Sequence, residues 1–143
     1  MASTSTYLNF MGDTEAAFAF YRSVFGTEYR GGIARMGDMP PGPGMPTLSD
    51  AERTMIMHIE LPILGGHVLM GTDALPSMGH TVVFGTNFSL NLEPDTRAEA
   101  DRLFRALSEG GKVTTPLQEM FWGYFGTLVD RFGVQWMMNC RAN

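Results

Sequence analysis

The chain has 143 residues, of which 44% are hydrophobic, a length and apolar content typical of one ordinary domain with its own core. Its net charge is −5 and its only lysine is Lys112, so it lacks the clustered basic residues that a nucleic-acid surface needs. Because no apolar run approaches the roughly 20 residues of a membrane span, and Met1–Thr4 has no signal-peptide pattern, we expect a cytoplasmic protein.

The first half of the sequence predicts a strand, a helix and three further strands. Four segments have the composition of strands: Thr4–Phe10, Glu28–Met36, Thr54–Leu61 and His67–Thr72. Between the first two, we expect Asp13 to be the N-cap of a helix that Gly26 ends. The apolar stripe of this helix has helical spacing and consists of Ala17, Phe18, Tyr21, Val24 and Phe25.

The segment Gly37–Arg53 interrupts this pattern. It contains four prolines, Pro40, Pro41, Pro43 and Pro46, and proline removes backbone donors and fixes φ, so we predict a loop. Loops of this length are usually functional or disordered. We interpret the segment as a flap beside a site.

The second half repeats the order of elements. Its predicted strands are Thr86–Leu92, Lys112–Leu117, Trp122–Asp130 and Val134–Cys140. Thr96 and Glu99 match a capping box at the start of its helix, which Gly110 and Gly111 end. The sequence therefore predicts one α+β domain over residues 1–143, made of two βαβββ halves, 1–75 and 86–143.

The strongest candidates for chemistry are His58 and Glu60. Strand alternation places them with Ile56 on one face, and leaves Met57, Ile59 and Leu61 on the other. A carboxylate beside an imidazole fixes its tautomer and raises its basicity, which suits a general base. The alternative is a structural hydrogen-bonded pair, or a glutamate that simply faces solvent.

Other residues are weaker candidates for ligand binding. His67 follows Gly65 and Gly66 and shares a strand face with Leu69, so a structural role near a turn is the competing interpretation. Trp122 and Tyr124 could stack on a planar ligand, and Glu119 could orient a polar group, although such aromatics are more often core or dimer contacts. The twelve methionines suit either core packing or the adaptable lining of an apolar pocket.

Three segments carry a resemblance to a known family. They are the helix segment Gly12–Gly26, the Met57–Leu61 segment MHIEL, and the aromatic and glycine-rich segment Trp122–Trp136. Together they resemble the PhnB-like branch of the glyoxalase/bleomycin-resistance/dioxygenase superfamily, also called vicinal oxygen chelate proteins. Arg131 stands where that branch usually has proline.

This resemblance implies curved mixed sheets around a cavity, a homodimer, and, in metal-dependent members, His and Glu ligands on the first and last strand of each half. In this chain Thr4–Phe10 has no His, Asp or Glu, and Met137 stands where the usual glutamate falls. The single cysteine, Cys140, cannot form a cysteine-based zinc site. We therefore predict no metal and no cofactor, and expect Asn87 and Met137 to contact a small-molecule ligand instead.

Two functions are compatible with these residues. The chain is an enzyme that acts on a small molecule through His58 and Glu60, or it is a protein that binds and sequesters an apolar compound, as resistance members of the superfamily do. Members of this branch often carry the label 3-demethylubiquinone methyltransferase, but the sequence has no glycine-rich motif for a nucleotide-like methyl donor. The two functions differ in whether His58 lines a cavity with Glu60 at hydrogen-bond distance.

Overall fold

The computed structural model describes residues 1–40 and 42–141. These residues form two compact units, 1–83 and 84–143, each of which contains one four-stranded sheet. We describe the two units separately. The assignment of residues 1–143 to a single domain stays a prediction.

The first unit is a strand, a helix and three strands. Its main elements are β1 (Thr6–Phe10), α1 (Thr14–Phe25), β2 (Ala34–Arg35), α2 (Asp50–Thr54), β3 (Ile56–Pro62) and β4 (Val68–Asp73). The sheet order is β1-β4-β3-β2. β1 is parallel to β4, whereas β3 is antiparallel to both of its neighbours.

The second unit has the same arrangement except that it has no counterpart of the short helix α2. Its elements are β5 (Leu90–Leu92), α3 (Arg97–Ser108), β6 (Lys112–Met120), β7 (Gly123–Val129) and β8 (Gln135–Cys140). The sheet order is β5-β8-β7-β6, again with the first and last strands parallel. The predicted α+β fold with two βαβββ halves is confirmed. Within the described residues, no helix is long and apolar enough to cross a membrane.

In the first unit, α1 covers one face of the sheet. The residues buried between the helix and the strands are Leu8, Phe10, Ala17, Phe18, Tyr21, Ile59, Leu61 and Leu69. The helix lies so close to β4 that a Cβ added at Gly71 would stand 2.6 Å from Cε1 of Phe18. This burial leaves the opposite face of the first sheet free of α1, and we call it the open face.

The structure corrects the predicted faces of β3. Ala34 pairs with His58 but Arg35 pairs with Ile56, so β3 contains one extra residue at this point. Such a bulge reverses the alternation of side chains beyond it. Ile56 is therefore buried like Ile59 and Leu61, and does not share the face of His58 and Glu60.

Several predicted boundaries also change. The strand predicted over Glu28–Met36 is reduced to Ala34–Arg35, and the one predicted from Thr86 begins at Leu90. The predicted loop Gly37–Arg53 contains the start of α2, which a capping box between Ser49 and Glu52 begins. Pro41 of that loop lies outside the described residues.

The two predicted N-caps behave differently. Thr96 accepts a hydrogen bond from the Glu99 backbone N–H, but the Glu99 carboxylate pairs with Arg102 and does not complete the box. Asp13 makes no side-chain cap bond.

A buried carboxylate from β4, and not Asp13, binds backbone N–H groups at the start of α1. Asp73, at the end of β4, is only 3% exposed. Its Oδ1 accepts hydrogen bonds from the backbone N–H groups of Gly12 and Thr14 and from the Thr14 hydroxyl, at 3.0, 3.1 and 2.6 Å. Its Oδ2 accepts from the Ile56 backbone N–H at 2.9 Å. One side chain thus joins the start of α1 to the start of β3 and the end of β4.

Replacing this carboxylate should destabilise the protein. In Asp73→Asn, the amide group can accept on one side only and turns a donor toward a backbone N–H on the other. We expect a loss of about 1–3 kcal/mol in the free energy of unfolding, the usual cost of a buried unsatisfied polar group, measured by urea denaturation. Asp13→Asn is the matched control, since Asp13 is exposed and makes no cap bond; an equal loss in both variants would contradict the role of Asp73.

Candidate functional site

The open face of the first sheet carries a row of polar side chains. Register places Asn9 opposite Thr72, and both Tyr7 and Glu60 opposite Met70. His58 belongs to the same face, because its ring lies against that of Tyr7, with the centroids 5.7 Å apart. Three neighbouring strands therefore bring polar groups together on one surface.

Four of the side chains on this surface form a connected series, which we call the polar chain: Arg30, Glu60, His58 and Tyr7. The Arg30 guanidinium donates to both oxygens of Glu60, at 3.0 and 3.3 Å. The Glu60 carboxylate lies 3.7 Å from Nε2 of His58. On the other side of the ring, Nδ1 of His58 is 3.0 Å from the Tyr7 hydroxyl.

The electrostatics of the polar chain follow from these contacts. The hydrogen bond from Arg30 holds the pKa of Glu60 below its usual value, so that carboxylate is an anion at neutral pH. Burial raises the pKa of Tyr7, and the nearby Glu60 charge adds to this, although a hydrogen bond from Thr72 opposes it. Tyr7 is therefore a neutral phenol at neutral pH.

A cavity of about 750 Å³ lies beside the polar chain in the first unit. Its wall includes five methionines: Met36, Met39, Met45, Met57 and Met78. Asn9 and Thr72 of the open face also line it. The cavity thus combines an apolar, deformable wall with a polar floor on the sheet.

The proline-rich segment forms part of this wall. A smaller space of about 270 Å³ is lined by Met36, just before the segment, and by residues of the segment itself, among them Met39, Pro40, Met45, Pro46 and Leu48. The same three methionines therefore face both spaces. The interpretation of Gly37–Arg53 as a flap beside a site stays a prediction.

His58 and Glu60 are close to each other but are not a hydrogen-bonded pair. Their separation of 3.7 Å exceeds hydrogen-bond distance, and the shorter contacts of Glu60 are with Arg30. His58 is 37% exposed and does not line the cavity, whereas its neighbour Met57 does. The catalytic roles of His58 and Glu60 stay predictions.

His67 lies apart from this group. Its Nε2 is 2.8 Å from the Thr6 hydroxyl, and it shares the parity of Leu69 and Gly71, which face α1. The hydrogen bond joins the beginnings of β1 and β4. A ligand role for His67 stays a prediction, and its geometry is that of a structural contact.

The candidates of the second unit fall on different surfaces. Glu119 pairs with Arg97, and the Tyr124 hydroxyl donates to Asp101 at 2.6 Å, so both turn toward α3. The bond to Asp101 raises the pKa of Tyr124. Met137 alternates with the buried Trp136 and Met138 and so lies on the face away from α3.

The remaining two candidates lie at the edges of that unit. Trp122, in the turn between β6 and β7, makes edge-to-face contacts with Phe121 and Phe125. Asn87 lies in the exposed segment before β5. The structure does not bring the five candidates of the second unit into one site, and their ligand contacts stay predictions.

Sequence reasoning missed Tyr7 and Arg30. Tyr7 stands in a predicted strand, and its alternation with Leu8 and Phe10 indicates that it faces away from the helix, but nothing local links it to His58. Arg30 lies in a segment whose composition predicts a strand, and its partner Glu60 is 30 positions away. Only the pairing of the strands reveals both contacts.

The arrangement of His, Cys, Asp and Glu side chains bears on metal binding. Among residues 1–40 and 42–141, no group of three or more His, Cys, Asp or Glu side chains is arranged to hold a metal ion. The ligand set that the superfamily resemblance implies therefore does not fit the residues of this chain, and we derive no chemistry through a metal.

Comparisons with known proteins agree on one family. The sequence model described as 3-demethylubiquinone-9 3-methyltransferase matches residues 2–139. Protein YjdN of Escherichia coli strain K12 is 35% identical over 141 residues, which cover 94% of this chain and 92% of YjdN.

Solved structures of similar proteins share the fold of this chain. Protein PA1353 of Pseudomonas aeruginosa is 35% identical, with a TM-score of 0.85 and full coverage of both chains. The PhnB protein of Bacillus cereus is 28% identical, with a TM-score of 0.75 over 97% of this chain and 99% of its own. A glyoxalase/bleomycin-resistance/dioxygenase domain from Frankia sp. EAN1pec, 12% identical with a TM-score of 0.63 over 99% of this chain and 98% of its own, shares the fold.

The sequence prediction about metals leads to a direct measurement. Because β1 offers no His, Asp or Glu, we expect the purified protein to contain no stoichiometric zinc, nickel, iron or manganese by elemental analysis. A content of about one metal ion per chain that disappears in His67→Ala would contradict this expectation.

Proposed function

This chain belongs to the 3-demethylubiquinone-9 3-methyltransferase family, in the PhnB-like branch of the glyoxalase/bleomycin-resistance superfamily. We propose that it is a cytoplasmic protein that binds a small apolar molecule. The ligand would occupy the cavity of the first unit. The observation that carries the proposal is the concentration of five methionines around one space of about 750 Å³.

The size and lining of the cavity support this function. Volumes of roughly 300–1,000 Å³ are typical of small-molecule sites, and such sites combine apolar walls with a few placed polar groups. Methionine is unbranched and polarizable, so a wall of methionines adapts to ligands of different shape. Asn9 and Thr72 supply hydrogen-bonding groups at the floor.

Binding is better supported than acid–base catalysis. A general base needs to reach the proton that it removes, but His58 does not line the cavity. Its intended partner Glu60 is engaged by Arg30. Catalysis through His58 and Glu60 therefore remains the alternative function, and it requires a ligand that extends beyond the cavity onto the polar chain.

The methyl transfer in the family's name is not part of the proposal. A nucleotide-like methyl donor is usually bound by a glycine-rich turn between a strand and a helix. Here the turn from β1 to α1 contains one glycine, Gly12, and the turn from β5 to α3 contains none. These turns do not fit such a donor.

The proposal predicts that a neutral fluorescent probe, N-phenyl-1-naphthylamine, binds and gains fluorescence, and that Met57→Gln weakens this binding. The substitution keeps the length of the side chain but turns a polar amide toward the apolar wall. We expect the dissociation constant to rise roughly 5–30-fold, which corresponds to about 1–2 kcal/mol of polar-group desolvation.

Met11→Gln is the matched control, because Met11 belongs to the same unit but is exposed and does not line the cavity. It should bind the probe like the parent protein. If the parent protein fails to bind apolar probes, or if both variants bind as it does, the cavity is not the binding site.

We also propose that the protein is a homodimer, as the family resemblance implies. At the β6–β7 turn the second unit exposes Phe121 and Trp122, and Phe121 is 97% exposed. β6 is also an edge strand. Exposed apolar groups beside an unpaired edge favour association with a second copy.

Light scattering at micromolar concentration should give twice the chain mass of 15.8 kDa. Phe121→Arg should shift the mass toward that of one chain, whereas Phe88→Arg, at another exposed phenylalanine of the same unit, should leave the dimer intact. A monomer mass for the parent protein would refute this assembly.

A further inference from the structure

The Tyr7 hydroxyl lies next to the floor of the methionine-lined cavity. Tyr7 and Asn9 are two positions apart on β1 and so face the same side of the sheet. Asn9 and Thr72 both line the cavity, and Thr72 lies two positions beyond Met70, the register partner of Tyr7, on the same face of the sheet. A ligand in the cavity can therefore place a polar head group against Tyr7 without leaving the open face.

The charges of the polar chain favour one direction for the hydrogen bond between Tyr7 and His58. Arg30 keeps Glu60 as an anion by donating to both of its oxygens. That anion lies on the Nε2 side of the His58 ring, at 3.7 Å, and so favours the tautomer with its proton on Nε2. Nδ1 is then an acceptor, and the Tyr7 hydroxyl donates to it at 3.0 Å.

This direction determines what Tyr7 can offer to a ligand. A phenol has one proton, and with the His58 proton on Nε2 that phenol proton is donated to Nδ1 of His58. The oxygen of Tyr7 is left with lone pairs only, so it can accept a hydrogen bond from a ligand but cannot donate one. The titratable or charged groups in contact within this series are Tyr7 on β1, His58 and Glu60 on β3, and Arg30 before β2.

From this geometry we infer that Tyr7 is a ligand-binding residue that selects molecules with an apolar body and a hydrogen-bond-donating head, such as an alcohol or an N–H group. His58 is a positioning residue, because it acts on the ligand through Tyr7. The inference rests on the proposed function, since it assumes that the apolar body occupies the cavity of the first unit.

A matched pair of ligands tests the selection. 1-Naphthalenemethanol has a hydroxyl donor, and its methyl ether has the same ring but no donor. Isothermal titration calorimetry of the parent protein should show the alcohol binding about fivefold more tightly, as one net hydrogen bond of roughly 1 kcal/mol gives. In Tyr7→Phe, the ratio of the two dissociation constants should fall to about one, with binding of the ether almost unchanged.

A second variant separates a role in selection from a merely structural one. His58→Phe fills the space of the imidazole but cannot accept the Tyr7 proton, so the phenol becomes free to donate. The ether should then bind more tightly than it does to the parent protein, and the preference for the alcohol should disappear. Circular dichroism and urea denaturation of both variants check that the fold is retained.

The possible results distinguish this inference from the proposed function. If neither ligand nor N-phenyl-1-naphthylamine binds the parent protein, the proposed function fails. If all three bind but the alcohol has no advantage, or if Tyr7→Phe keeps the advantage, the cavity is a binding site and the selective role of Tyr7 is refuted. A folded His58→Phe variant that keeps the parent preference refutes the positioning role of His58.

Discussion

The carboxylate of Asp73 is the interaction on which the first unit depends. It stands at the end of β4 and accepts four hydrogen bonds, three from the β1–α1 junction and one from the first residue of β3. A buried carboxylate is costly unless its lone pairs are satisfied, and here the donors are groups that would otherwise be unpaired at a helix start and a strand start. The arrangement fixes where β3 begins relative to β4. That position determines where the bulge places Met57 and His58, and so where the cavity wall meets the polar chain.

The two halves share a fold but not a surface. In each unit, a helix covers one face of a four-stranded sheet. On the uncovered face of the first unit lie Tyr7, His58 and Glu60, whereas the second unit turns Glu119 and Tyr124 toward its helix. A buried aspartate also organises the second unit, but Asp130 binds the β7–β8 turn and the Trp136 indole, not a helix start. Repetition of the backbone therefore does not imply two equivalent sites, and in this chain the cavity and the polar chain belong to the first half.

The sequence predicts the order of the elements well, because that order depends on local periodicity and on residues that end helices. It predicts the site poorly, because the site depends on strand register. Regular alternation groups Ile56 with His58, and only the pairing of β3 with β2 shows the extra residue that separates them. Likewise, Asp13 has the right position for an N-cap, but the carboxylate that binds the Thr14 N–H comes from Asp73, 59 positions later. Tyr7 and Arg30 were missed for the same reason: their partners are distant in sequence.

The cavity combines two surfaces of different stiffness, and this difference has a chemical consequence. Its floor belongs to a hydrogen-bonded sheet, where Asn9 and Thr72 are held in register. Much of its wall is formed by methionines, three of which lie in or beside a proline-rich segment that has little regular structure. Side chains of methionine change shape at small cost, whereas a displaced strand loses ladder hydrogen bonds. Ligand shape is thus only weakly constrained by the wall, and the discrimination between ligands has to come from the polar groups of the sheet. A buried site group left without its partner costs more than a lost apolar contact, so a few strand residues can set the specificity of a cavity whose wall tolerates many shapes.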